Sequence, residues 1–222
     1  MGLVIAHHTI ERVAIIDDQQ AARATFEEIV EDLQLRPVPQ GGPLNGLADY
    51  VNLLPTVADA ALCDHHLKVS AYASFNGADL VARCNQQGFP TLLCTNWNHA
   101  DIDEMRHLRR YIPILVRPGK LDPESMRNGF QKCIEEFGGT FDPSRRPWRA
   151  LVRIVELRDD PGQRAAYVVV PAWEPEEVVR IPASALPGDF FAKTPEGARV
   201  HARVNIGAES HEDLYFTDWE YQ

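Results

Sequence analysis

A chain of 222 residues, 45% hydrophobic and 24% charged, has a globular composition and the length for one large or two ordinary domains, each with its own core. Its formal charge of −10 argues against a chain-wide affinity for nucleic acid or an anionic membrane, leaving room only for a local basic patch. No apolar run reaches the roughly 20 residues that a membrane-spanning helix needs.

The first ten residues lack a basic segment followed by a long apolar core, so no signal peptide is expected. Ala6 stands where a myristoylation signal would want Ser or Thr. Arg12 to Ile16 reads as the first strand. Gln19 to Leu33 reads as a helix, with Ala22, Phe26, Ile29, Val30 and Leu33 on one face and Asp18 placed as its N-cap. Leu35 to Val38 can hold a short strand before the Pro/Gly loop at 37–43, and Leu44 to Leu54 is amphipathic. Asp59 to Cys63 is a small apolar run that stops at Asp64, as suits a strand buried on both faces. A polar, small-residue loop over 68–76 leads to a helix at about 77–87. Thr91 to Cys94 is the next strand, Asn98 to Arg110 a charged helix with Ile102, Met105 and Leu108 as its buried stripe, and Ile112 to Val116 a further strand. Pro123 to Phe137 closes the series, opened by Asp122 as N-cap and Pro123 in the first turn. Alternating strands and helices call for a doubly wound α/β domain, a five-stranded parallel sheet with helices on both faces. The four cysteines, Cys63, Cys84, Cys94 and Cys133, all fall in this part and form no CxxC pair, which reads as buried reduced thiols of a cytoplasmic protein.

Residues 138–147 are dense in turn formers and mark a linker between a domain over 1–140 and another over 147–222. Beyond it, Arg149 to Leu157, Ala165 to Val170, Val178 to Ile181 and Val200 to Ile206 alternate, and Leu214 to Trp219 is aromatic and strand-like. Five short strands predict a small all-β barrel or sandwich. Its aromatics Trp148, Trp173, Tyr215, Phe216 and Trp219 could stack on bases. From Arg145 onward, however, ten Lys/Arg face thirteen Asp/Glu, which favours core or a protein-binding surface and disfavours nucleic acid. Nothing resembles a helix-turn-helix recognition helix.

Four strands of the first domain run into chemistry-bearing residues. The first ends at Asp17-Asp18, the next at Asp64, then Thr95, then Arg117-Pro118. Open α/β sheets place ligands at the carboxyl ends of their strands, so these residues should share one edge. Alone, each has a plain structural reading: a helix cap, a turn, a strand-end hydroxyl, a surface ion pair. Their convergence is the functional signal.

Val13-Ala14-Ile15-Ile16-Asp17-Asp18, Ala61-Leu62-Cys63-Asp64, Leu92-Leu93-Cys94-Thr95 and Leu115-Val116-Arg117-Pro118, at these intervals, resemble the strand-end signatures of response-regulator receiver domains over roughly residues 12–137. The resemblance implies a flavodoxin-like fold and no enzymatic activity beyond phosphorylation and dephosphorylation of Asp64 itself. It also implies Mg²⁺ held by Asp17, Asp18, Asp64 and the backbone carbonyl of His66, with Thr95 and Arg117 contacting the phosphoryl group. The implied partners are a histidine kinase or phosphotransfer protein and a second copy of the chain in a homodimer; for the β domain, the charge balance points to an unidentified protein. Three positions depart from the family pattern. Arg117 replaces lysine with a planar fork on a different stem. The loop after Asp64 lacks the usual proline and carries extra residues at 68–75. Ile114 replaces the aromatic residue common on the last strand.

The sequence thus supports a phosphorylated response regulator first and a phosphorylation-independent receiver-like scaffold second. A Mg²⁺ phosphatase or nuclease comes third, since the phosphatase strand end is D-x-D and Asp17 and Asp18 are adjacent. Zinc at His65-His66 is disfavoured: adjacent side chains on an extended segment point apart, and spacing places no third ligand.

Overall fold

The structure is a computed structural model that describes residues 2–44, 46–160, 162 and 164–221. The predicted domain ends Met1 and Gln222, and Asn45 of the predicted second helix, lie outside the described residues. The chain forms two compact units, Met1–Asn96 with Tyr111–Thr140, and Trp97–Arg110 with Phe141–Gln222. The sequence divides the chain once, near 140. Packing gathers the additional segment Trp97–Arg110 with the second unit.

The first unit opens with an antiparallel hairpin that periodicity did not reveal, β1 (Leu3–Ile5) and β2 (His8–Ile10), turning at Ala6 with φ 51°. Next come β3 (Arg12–Ile16), α1 (Gln20–Asp32), β4 (Arg36–Pro39), α2 (Leu47–Val57), β5 (Ala60–Cys63), α3 (Gly77–Gln86) and β6 (Thr91–Cys94). In the second unit's inserted segment lies α4 (His99–Met105), continued by a 3₁₀ stretch at Arg106–Tyr111. The first unit resumes with β7 (Leu115–Val116) and α5 (Pro123–Phe137). The last strand is shorter than expected because Pro113 has no N–H to give a ladder.

Apart from the hairpin, five of its strands form one parallel sheet in the order β4-β3-β5-β6-β7, the flavodoxin-like arrangement. Central strands bury every residue of Val13–Ile16 and Ala60–Cys63, which explains their unbroken apolar runs. Phe26 and Val30 of α1 and Met126 and Phe130 of α5 join Val13, Ile15, Leu62 and Leu92 in one core. Fully burying each large apolar side chain contributes about 1.5–3 kcal/mol. The predicted N-cap Asp18 does not cap α1. Gln19 occupies that position, and the Asp17 carboxylate instead takes the Gln19 N–H at 2.8 Å, turning back toward the strand end. Asp122 does cap α5, in a capping box with Ser125.

The second unit carries β8 (Trp148–Arg158), β9 (Ala165–Val170), β10 (Glu174–Pro182), the short α6 (Phe190–Lys193), β11 (Arg199–Val204) and β12 (Phe216–Glu220). They form one five-stranded antiparallel sheet, ordered β10-β9-β8-β11-β12. The aromatics are spent largely on packing: Tyr215 is buried, and Phe216, Trp219 and Trp173 pack against the core formed by Val152, Val168, Phe190 and Val204. Trp148 is exposed, with Arg146 over its ring. Helix α4 is held by a capping box in which Asn98 Oδ1 accepts from Ala100 N at 2.7 Å and Asp101 N at 3.2 Å. Asn98→Ala should therefore cost about 1 kcal/mol, read as a lower urea midpoint with unchanged slope. Among the described residues, no helix is long and apolar enough to cross a membrane.

Candidate functional site

Strand order and register bring the acidic residues together. From β3 the chain crosses to β4 on one side and then to β5 on the other, so β3 and β5 flank the point where the winding reverses. Ile16 pairs with Cys63, and Asp64 N donates to Ile16 O at 2.8 Å. Asp17 and Asp64 therefore leave neighbouring strands at the same level, at the crevice where such sheets bind ligands. Cys63 pairs with Leu93, and Thr95 N donates to Val116 O at 3.0 Å, which carries the same edge across to Thr95 and Arg117.

Asp17 is the most strained of these groups electrostatically. It is only 5% exposed, and its carboxyl is raised from 3.8 to about 6, first by burial, then by the charges of Asp64 and Asp18; the Gln19 N–H and Arg23 oppose the rise. Burial, with Asp64 and Asp17 adding to it, likewise pushes the Cys94 thiol up to about 12. The four cysteines are buried, and none forms a disulfide among the described residues. Asp64 Oδ2 accepts the His66 N–H at 2.8 Å, which fixes that carboxylate's rotation and places His66 against it. Thr95 is fully buried, and its hydroxyl donates to Asn96 O at 3.3 Å; His66 Nε2 lies 3.3 Å from the same carbonyl. Arg117 is exposed at the end of the outer strand β7.

Sequence reasoning missed three contributors. Gly77, at the start of α3, packs its backbone directly on Asp64: a Cβ there would sit 1.7 Å from Asp64 O and 2.9 Å from Cys63 Sγ. Its place at a helix start, after Asn76, was the available signal. Arg23 reaches back from α1 to donate to the Asp17 carbonyl. The loop after Asp64 is not a purely polar connection. Tyr72 and Phe75 are buried, Tyr72 Oη donates to Gln40 O at 2.7 Å, and Phe75 packs on the Tyr50 ring. The extra residues thus tie β5 to the end of β4. That segment also bends at His65, so the His65 and His66 rings do not diverge as an extended chain would require; they meet edge to face at 4.9 Å.

No protein-family model matches the chain, and no curated protein matches it. Receiver domains recur among the solved structures that resemble this fold. A response regulator receiver domain protein from Clostridium thermocellum is 9% identical, with 57% of this chain and 96% of that one covered and a TM-score of 0.42. A receiver domain protein from Methanospirillum hungatei JF-1 is 14% identical, covering 59% and 98%, also with a TM-score of 0.42. One from Methylobacillus flagellatus is 19% identical, covering 56% and 98%, with a TM-score of 0.40. These similarities concern the α/β part; the second unit is not characterised by them.

Proposed function

We propose that this chain is a cytoplasmic response regulator of two-component signalling, phosphorylated on Asp64 by a histidine kinase or phosphotransfer protein and acting through a protein partner of its β unit. The observation that carries the reading is the raised Asp17 carboxyl beside Asp64 and Asp18 at the sheet's switch point. Burial first, and then the charges of Asp64 and Asp18, disfavour ionisation of Asp17, and hard oxygen donors suit Mg²⁺. The carboxylates of Asp17, Asp18 and Asp64 and the carbonyl of His66 would hold the ion. When bound, Mg²⁺ supplies positive charge that offsets the carboxylates and the phosphoryl oxygens.

The chain's own residues do the rest. With Oδ2 of Asp64 tied to the His66 N–H, Oδ1 is the oxygen left to attack phosphorus. The new O–P bond forms as the bond to the donor's leaving group breaks, giving an acyl phosphate on Asp64. The Thr95 hydroxyl then exchanges Asn96 O for a phosphoryl oxygen. Two residues downstream, Trp97 begins the segment that packs with the β unit, its indole donating to Glu212 Oε2 at 3.0 Å. A displacement at Thr95 therefore has a covalent route to the β unit. In this reading the protein is not an enzyme acting on a separate substrate.

A second reading, a phosphorylation-independent receiver-like scaffold, draws on the exposed Arg117 where lysine is expected. Intact mass after incubation with Mg²⁺ and acetyl phosphate separates the two. A single phosphoryl adduct, present in wild type and absent in folded Asp64→Asn, supports phosphorylation. Folded wild type that takes no adduct, and shows no amide shifts with beryllofluoride, selects the scaffold.

A further inference from the structure

We propose that the second unit contains a site for a transition-metal dication of the zinc class, formed by His99, His211 and Glu212. One ligand atom from each lies within 4.8 Å of the other two. His99 opens α4, while His211 and Glu212 belong to the loop between β11 and β12, so the site joins segments more than a hundred residues apart within one compact unit. Two imidazoles and one carboxylate are a borderline donor set that favours Zn²⁺ or Co²⁺ over Mg²⁺ or Ca²⁺.

The surroundings are those of a built site. The His211 loop is fixed by Arg106, which donates to His211 O at 2.9 Å and Leu214 O at 3.1 Å, and by the Arg109–Asp213 ion pair at 2.5 Å. The Trp97 indole orients Glu212 through Oε2, leaving Oε1 to coordinate. His211 Nδ1 stands 3.5 Å from Glu177 Oε1, the outer carboxylate that commonly sets a metal-bound imidazole's tautomer and turns its Nε2 to the ion. The rings of His99 and His211 lie 6.2 Å apart and 20° from parallel, so they would turn about their side-chain bonds to bring their in-plane lone pairs onto one ion. Beside them a cavity of about 220 Å³, lined by His99, Asp103, Arg106, Glu177, Arg180 and His211, gives room for the water or further ligand that three-ligand zinc sites keep.

This site is independent of the carboxylates at the parallel sheet, and the test keeps them apart. Untagged full-length protein, stripped with chelator, is titrated with Co²⁺ while its visible absorption is recorded, with excess Mg²⁺ present. One equivalent should produce ligand-field bands that Zn²⁺ bleaches. His99→Ala and His211→Ala, each folded by circular dichroism, should abolish the bands, and Glu177→Gln should weaken binding roughly 10-fold. Absence of bands in wild type overturns the proposal. So do bands that persist in the His99→Ala/His211→Ala double variant, or that vanish only in His65→Ala/His66→Ala.

Discussion

Asp17→Asn is expected to raise the stability of the cation-free protein at neutral pH by on the order of 2 kcal/mol and to change nothing near pH ~4. The ordinary value for this carboxyl is 3.8, and in the folded chain it is raised to about 6, chiefly by burial and then by Asp64 and Asp18. Between those values the folded state binds the proton more tightly than the unfolded state. Stability is therefore greatest below about 4, falls as pH rises through the window, and is flat above about 6. The difference between 3.8 and about 6 corresponds to a cost of nearly 3 kcal/mol at neutral pH. Asparagine keeps an oxygen for the Gln19 N–H while removing the charge. In a chain of this size the gain reads as roughly 4–8 °C in Tm. Mg²⁺ should stabilise wild type at neutral pH and leave Asp17→Asn largely unmoved. Thermal unfolding across pH, with and without Mg²⁺, checks all of this. A flat wild-type profile from about pH 4 to pH 6, or an equal Mg²⁺ response in both proteins, would defeat the reading of the site.

Gly77→Ala is expected to be among the most damaging single-methyl changes in the chain, costing on the order of 3 kcal/mol. The added Cβ would overlap the Asp64 carbonyl, which is backbone and cannot swing aside. Gly77 N also donates to His65 O at 2.8 Å, so α3 cannot back away without breaking the link that closes the loop. Under the proposed function, displacement of Asp64 should also lower the yield of the acetyl phosphate adduct. Gly41, where a Cβ meets nothing within 4 Å, is the matched control, and Gly41→Ala should stay within about 0.5 kcal/mol of wild type. Urea unfolding of the pair decides: similar midpoints for the two variants would show that α3 does not press on Asp64 as described.

The acidic edge was legible in the sequence for a local reason. Buried parallel strands are continuous apolar runs, and the first residue past each run must lie at the same edge once all strands are parallel. Asp17, Asp64 and Thr95 could be aligned in this way before any coordinates. Periodicity could not tell which carboxylate bears the strain. Asp18 looked like the cap of α1, yet the Gln19 N–H goes to Asp17, the more buried of the two carboxylates. Nor did the loop after Asp64 show its packing, since Tyr72 and Phe75 find their partners at Gln40 and Tyr50.

By itself the sequence determined the order of strands and helices from β3 to α5, the change from 3.6- and run-type patterns to alternation near residue 140, and the residue types at each strand end, because side-chain periodicity along the chain dictates them. Only the tertiary structure decided that Trp97–Arg110 packs with the β unit and that His99 meets His211 and Glu212. Periodicity fixes which face of a segment is buried but not what covers it. That choice belongs to long-range contacts such as Arg106 with the carbonyls of His211 and Leu214.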